Sequence, residues 1–204
     1  KVTNLTALYT TATAKISEVE EKRNANKNAI TVRQSTFENL KPICTKIINH
    51  LEILVLQQGT IDQAKSLNRL IQGGQKKTTT PPEEGKEIPK TISTSRQSYT
   101  QQTENFGILL QLLATIPTYA PNEDDLKLVN LNTYKDSLVS STQAVDQTEA
   151  ELNLKLIERD NILYADGTGL YSIAQNVKKY VKSIYGATSP EYANVSNIEF
   201  TNRK

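Results

Sequence analysis

Methionine and tryptophan are absent from this chain, cysteine and histidine occur once each, and glycine and proline number only eight and seven among 204 residues. Each shortage excludes something. A single cysteine, Cys44, rules out an intrachain disulfide. Cys44 and His50 together fall short of the three or four ligands that zinc requires. A di-iron bundle needs Glu-x-x-His pairs, and Ile47 stands where the glutamate before His50 should be. Few helix breakers in so long a chain favour long helices. No apolar run of about 18 residues exists, because Gly107 and Gln111 interrupt the densest stretch, Phe106 to Leu113, and this argues against a membrane span. The formal net charge of +2 offers no general attraction to nucleic acid or to an anionic membrane. The missing methionine points to a processed or trimmed chain. The start Lys1-Val2-Thr3-Asn4 is unlike a signal peptide, which leans toward the cytoplasm but leaves the compartment open.

What is present is periodicity. Leu5, Tyr9, Ala12, Ile16 and Val19 alternate by four and three, and the phase continues through Arg23, Asn26, Ile30, Arg33 and Phe37. This predicts one coiled-coil-like helix over residues 4–33, roughly 45 Å long. Pro42 predicts a break or a new first turn near residues 35–42. A second helix carries Ile43, Ile47, Ile48, Leu51, Leu54 and Val55, with Gly59 as its end. Thr60 to Gln63 has the form of a capping box opening a short helix, and Gly73-Gly74 terminates it. Residues 73–92, rich in glycine, threonine, lysine and proline, are expected to form a flexible linker. Spacing resumes over 95–116 and stops at Pro117. Asn122, followed by Glu123, Asp124 and Asp125, is expected to cap a very long helix running to Tyr164. Its seam is Leu131, Tyr134, Leu138, Ser141, Val145, Thr148, Leu152, Leu156, Arg159 and Leu163. A last amphipathic helix carries Leu170, Ile173, Val177, Val181 and Ile184, and Gly186 caps it. The tail beyond Pro190 is expected to be an extended strap with Phe200 inserted.

The two long helices and their short successors align as copies. One offset sets Leu5 on Leu131, Ala12 on Leu138, Val19 on Val145 and Arg33 on Arg159. A slightly longer one sets Leu40 on Leu170, Ile47 on Val177 and Leu51 on Val181. The expected fold class is therefore all-α: an elongated, internally duplicated bundle with a three-helix stalk and a small helical head. The expected organisation is a first repeat over 1–72, the linker 73–92 and a second repeat over 93–204, packed as one domain. Parallel long helices should meet a head built from residues 40–72 and 170–200.

Candidate sites are few. His50 reads as a helix-surface residue and Cys44 as a buried, inert thiol. The cluster Glu123-Asp124-Asp125 fits a helix first turn better than a cation site. Asp166-Gly167-Thr168-Gly169 lacks the ligand ladder of a calcium loop, and its glycines suit positive-φ positions. Lys178, Lys179 and Lys182 read as a solvated face. Four residues are candidates for an interface: Arg33 and Arg159, at matching seam positions near the ends of the long helices, and Tyr180 and Tyr185, which could anchor the last helix to the head. For the two arginines, the plainer reading is contact with helix-end carbonyls or with carboxylates such as Glu38 and Asp160.

The segments Ser95 to Tyr99, Tyr119 to Glu123, Arg159 to Tyr164, Thr168 to Leu170 and Val177 to Tyr192 carry a resemblance to a family of uncharacterised bacterial all-helical proteins, with looser likeness over Phe37 to Leu51 and Leu70 to Gly73. The resemblance implies a bacterial origin and no mechanism. The expected function is a non-enzymatic structural or protein-interaction role, through a protein partner or self-association. No cofactor, metal, small-molecule substrate or nucleic acid is expected, and no membrane association. The alternatives are a membrane-acting, pore-forming type of helical protein, and an enzyme that uses carboxylates, lysine and tyrosine.

Overall fold

The computed structural model of the chain describes residues 2–73 and 97–202. The expected linker over 73–92 lies, from residue 74 on, outside the described residues. Among the described residues are seven α-helices, one 3-10 turn and no strand, so the fold is an all-α helical bundle. The helices are α1 (Val2–Glu38), α2 (Leu40–Glu52), α3 (Gln58–Gln72), α4 (Tyr99–Ala114), α5 (Leu128–Tyr164), α6 (Leu170–Tyr185) and α7 (Pro190–Ser196), with the 3-10 turn at Asp124–Leu126.

Local chemistry explains most boundaries. α1 tolerates its early threonines because Thr10, Thr11 and Thr13 each donate a hydroxyl hydrogen bond to the carbonyl four residues back, at 3.0 Å. Pro42 sits in the first turn of α2, where its missing N–H leaves no helical bond unmade. Ser98 caps α4 by accepting from the Gln101 amide. Gly73 and Gly186 end α3 and α6 with φ of 88° and 87°, conformations that favour glycine.

Three expected boundaries are corrected. Gly59 does not end α2; α2 stops at Glu52, and Gly59 lies in the first turn of α3, which starts at Gln58 without a side-chain cap. Asn122 does not cap the long helix; Glu123 and Asp124–Leu126 form a separate 3-10 turn, and α5 begins at Leu128. The tail is not wholly extended, because Pro190–Ser196 is helical under a Ser189 cap that accepts from the Tyr192 amide.

The chain divides into two compact units, Lys1–Asn28 with Asp146–Lys204, and Ala29–Val145; both long helices contribute to each. In the second unit the core gathers the end of α1, the start of α5, and α2, α3 and α4 around Leu40, Ile47, Leu51, Ile71, Phe106, Leu109 and Leu131, all at most 1% exposed. Phe106 meets Tyr134 edge to face at 5.9 Å, and the Tyr134 hydroxyl donates to the Thr36 carbonyl at 2.7 Å.

In the first unit the two long helices run antiparallel, not parallel. Lys15 pairs with Glu158 at 2.8 Å, Lys22 with Glu151 at 2.9 Å, and Asn26 donates to the Thr148 hydroxyl at 3.1 Å, so rising numbers on α1 meet falling numbers on α5. The shared head of residues 40–72 and 170–200 is likewise corrected, since these segments belong to different units.

Candidate functional site

The first unit buries little. Among its described residues, Ala12 and Val19 are the buried apolar side chains, and α6 buries none. α6 is nevertheless strongly amphipathic: Leu170, Ile173, Ala174, Val177 and Val181 fall on one face. That face and the first turns of α1 enclose a groove. Leu5, Tyr9, Leu170, Ala174, Val177 and Phe200 are among the walls of one cavity of about 650 Å³. A second, of about 890 Å³, shares Leu5 and Val177 and extends to Leu8, Ile173 and Tyr180. Leu5, Tyr9, Ile198 and Phe200 are all exposed apolar side chains around it.

The tail is tied down by lysine. Lys178 donates to the carbonyls of Ser196 and Ile198 and lies 5.1 Å above the Phe200 ring. Lys182 lies 5.7 Å from the Tyr192 ring centroid. Two of the three lysines expected to be a solvated face therefore serve as staples for the segment that forms one groove wall. Their neighbours were not legible in advance, because they lie in or just after α7, which was not expected.

The four candidate interface residues are not brought into one place. Arg33 stacks over the Tyr99 ring at 4.2 Å, and Tyr99 meets Phe37 edge to face at 4.7 Å. The Arg33 Nε is buried without a hydrogen-bond partner among the described residues. Arg159 instead makes a two-pronged contact with Asp160, at 2.9 and 2.7 Å, one of the carboxylates expected for it. Tyr180 and Tyr185 do not anchor α6: they are 67% and 57% exposed, with Tyr180 lining the groove.

Elsewhere the candidate chemistry is closed off. Cys44 is fully buried, and burial pushes its thiol up to about 12, as expected for an inert thiol. His50 is half-buried at the surface of α2. Its ring packs edge to face on Tyr119 at 5.4 Å, and its Nε2 is buried with no hydrogen-bond partner among the described residues. The hydroxyl of Tyr119 donates to the Leu126 carbonyl at 2.9 Å, and burial, with Asp125 nearby, raises it to about 12. A shallow cleft of about 360 Å³ beside His50 is bridged by Lys46 and Asp125 at 2.7 Å. Asp124 pairs with Lys127, so two of the three acids in the cluster, Asp124 and Asp125, are engaged in ion pairs. Gly167 has φ of 75°, but Gly169 does not; a Cβ there would sit 2.5 Å from the Ala165 nitrogen, so close approach demands that glycine. Among the described residues no group of three or more His, Cys, Asp or Glu could hold a metal ion, and no helix is long and apolar enough to cross a membrane.

No protein-family model matches the chain, no curated protein matches its sequence, and no solved structure matches its fold. The groove is thus weighed on its own geometry.

Proposed function

We propose that the chain is a non-enzymatic interaction protein that seats an amphipathic helix of another polypeptide in the groove between α1, α6 and the tail. The observation that carries this reading is the groove itself: adjoining apolar cavities of about 650 and 890 Å³ with walls made of helices. Helix-lined apolar grooves receive helices, and contiguous exposed apolar surface marks an interaction site. Tyr180, at the rim, supplies an amphipathic contact of the kind that interfaces favour. Arg33, Arg159 and Tyr185 remain candidates for other interfaces.

The same reading takes α1–α2 and α5–α6 as copies of one long-helix, short-helix unit. The equal length of α1 and α5, 37 residues each, supports it, as do the amphipathic helices of 13 and 16 residues that follow them. The bacterial origin belongs to this reading too.

Sizing of native extracts tests the function. The wild-type chain should migrate in an assembly larger than one chain, and Val177→Asp combined with Leu5→Asp should return it to a monomer. An assembly state unchanged by the pair of substitutions contradicts the proposal. One observation favours a membrane-acting alternative: α6 joins its apolar face to Lys178, Lys179 and Lys182 and has no acidic residue. Release of dye from anionic vesicles, lost in the same variant, would favour it over protein docking.

A further inference from the structure

We infer that the first unit is an electrostatic clasp, in which α1 and α5 are held together by a ring of alternating charges, and that it opens in acid while the second unit stays folded. Lys15 lies 2.8 Å from Glu158 and 2.9 Å from Glu18; Lys155 lies 3.0 Å from each of the same two carboxylates. Each helix supplies one cation and one anion, so the ring closes across the helix pair. Further along, Lys22 pairs with Glu151 at 2.9 Å, and the Gln147 amide donates to Glu151 at 3.1 Å.

Beside these pairs lie the Asn26–Thr148 hydrogen bond and a thin apolar seam. Between the buried Ala12 and Val19, Ile16 is 47% exposed. Single exposed ion pairs contribute little, but a network over a thin apolar seam carries a larger share of the holding. The second unit is built the other way. Its core is apolar, and its cross-element ion pairs among the described residues, Lys46 with Asp125 and Lys65 with Glu52, sit on the exposed surface. The two units should therefore come apart under different conditions, as separate cooperative parts of one chain.

The sign follows from the pairings. Hydrogen bonds from Lys15 and Lys155 hold Glu18 and Glu158 below the ordinary 4.5, and those from Lys22 and Gln147 do so for Glu151. Groups lowered in the folded state stabilise it above the unfolded value and lose that effect as pH falls through the folded one. Lys15, Lys22 and Lys155 are raised above 10.5 by the same partners, so their contribution is present below 10.5 and fades in strong alkali. Glu21 and Lys155 also act on Lys22, with opposite signs. The clasp is closed between these limits. Because α1 also carries Leu5 and Tyr9, opening dismantles a groove wall. That consequence rests on the docking reading; the opening itself does not.

Hydrogen–deuterium exchange with mass spectrometry, with times scaled for intrinsic exchange, tests it at about pH 7 and about pH 3. Peptides covering 8–28 and 146–164 should lose protection in acid, while peptides covering 40–52 and 99–114 keep theirs. The double variant Glu18→Gln, Glu158→Gln should show that same selective loss already at neutral pH. Clasp peptides that stay protected in acid and in the variant overturn the inference. So does loss of protection from both sets together under either condition. Exchange reads the clasp without any partner, so a failed docking reading leaves this result standing, and the reverse holds.

Discussion

Phe106 shows how single side chains set the strength of the second unit. It is fully buried and wedged against Tyr134. Phe106→Ala removes a large apolar volume that its neighbours cannot refill, and should cost about 3–5 kcal/mol in denaturant unfolding. A loss under about 1 kcal/mol would show that the core is not assembled as described. Tyr134 and Tyr119 add a pH signature. Burial lifts both hydroxyls to about 12, with the Cys44 thiol adding to the effect on Tyr134. Each is neutral in the fold and would ionise near 10 if unfolded, so their contribution is whole below 10 and is lost as pH rises toward 12. Ultraviolet titration should show a late phase of tyrosine ionisation near 12, and Tyr134→Phe with Tyr119→Phe should remove it. Cys44 should resist thiol reagents until the protein unfolds.

At the scale of elements, Ser189 and Gly169 test local reasoning. Ser189→Ala removes the cap of α7 and should weaken that short helix by about 1 kcal/mol, read as faster amide exchange at Tyr192 and Ala193. Gly169→Ala forces a Cβ into the Ala165 backbone, and should lower the melting temperature while Gly59→Ala, which meets nothing within 4 Å, does not lower it comparably. Which elements were legible follows from the same forces. The ends of α3, α4, α5 and α6 were readable because glycine, proline or a polar turn punctuates them. The start of α3 was not, since Thr60 to Gln63 imitates a cap while Gln57 opens the helix without one. α7 was missed although Ser189-Pro190-Glu191 carries a capping serine, a proline at the first helical position and an early acid. Weight on its loose apolar spacing hid that signal. The helix direction in the first unit was not legible either. Seam spacing is nearly the same for parallel and antiparallel pairs, and the partners Lys15–Glu158, Lys22–Glu151 and Asn26–Thr148 decide it. The groove was half legible: the face of α6 could be read from Leu170 to Ile184, but its partners Leu5 and Tyr9 required the antiparallel register.

For the whole molecule, the contrast lies between an apolar core in one unit and a charge-held helix pair in the other. Calorimetry at neutral pH should resolve two transitions rather than one, with Phe106→Ala moving the second unit's transition more than the first's. A single transition matching its van't Hoff enthalpy would argue for one cooperative body. The apolar groove is the central claim, because α6 carries an amphipathic face that the described residues bury only in part. A photo-reactive residue at Val177, activated in the native cell and mapped by mass spectrometry, tests it most directly. The account predicts adducts to one helical segment of a second polypeptide, lost when Leu5 is also changed to aspartate. Adducts confined to the chain's own residues, or none beyond those formed by a probe at Asn130, would contradict it.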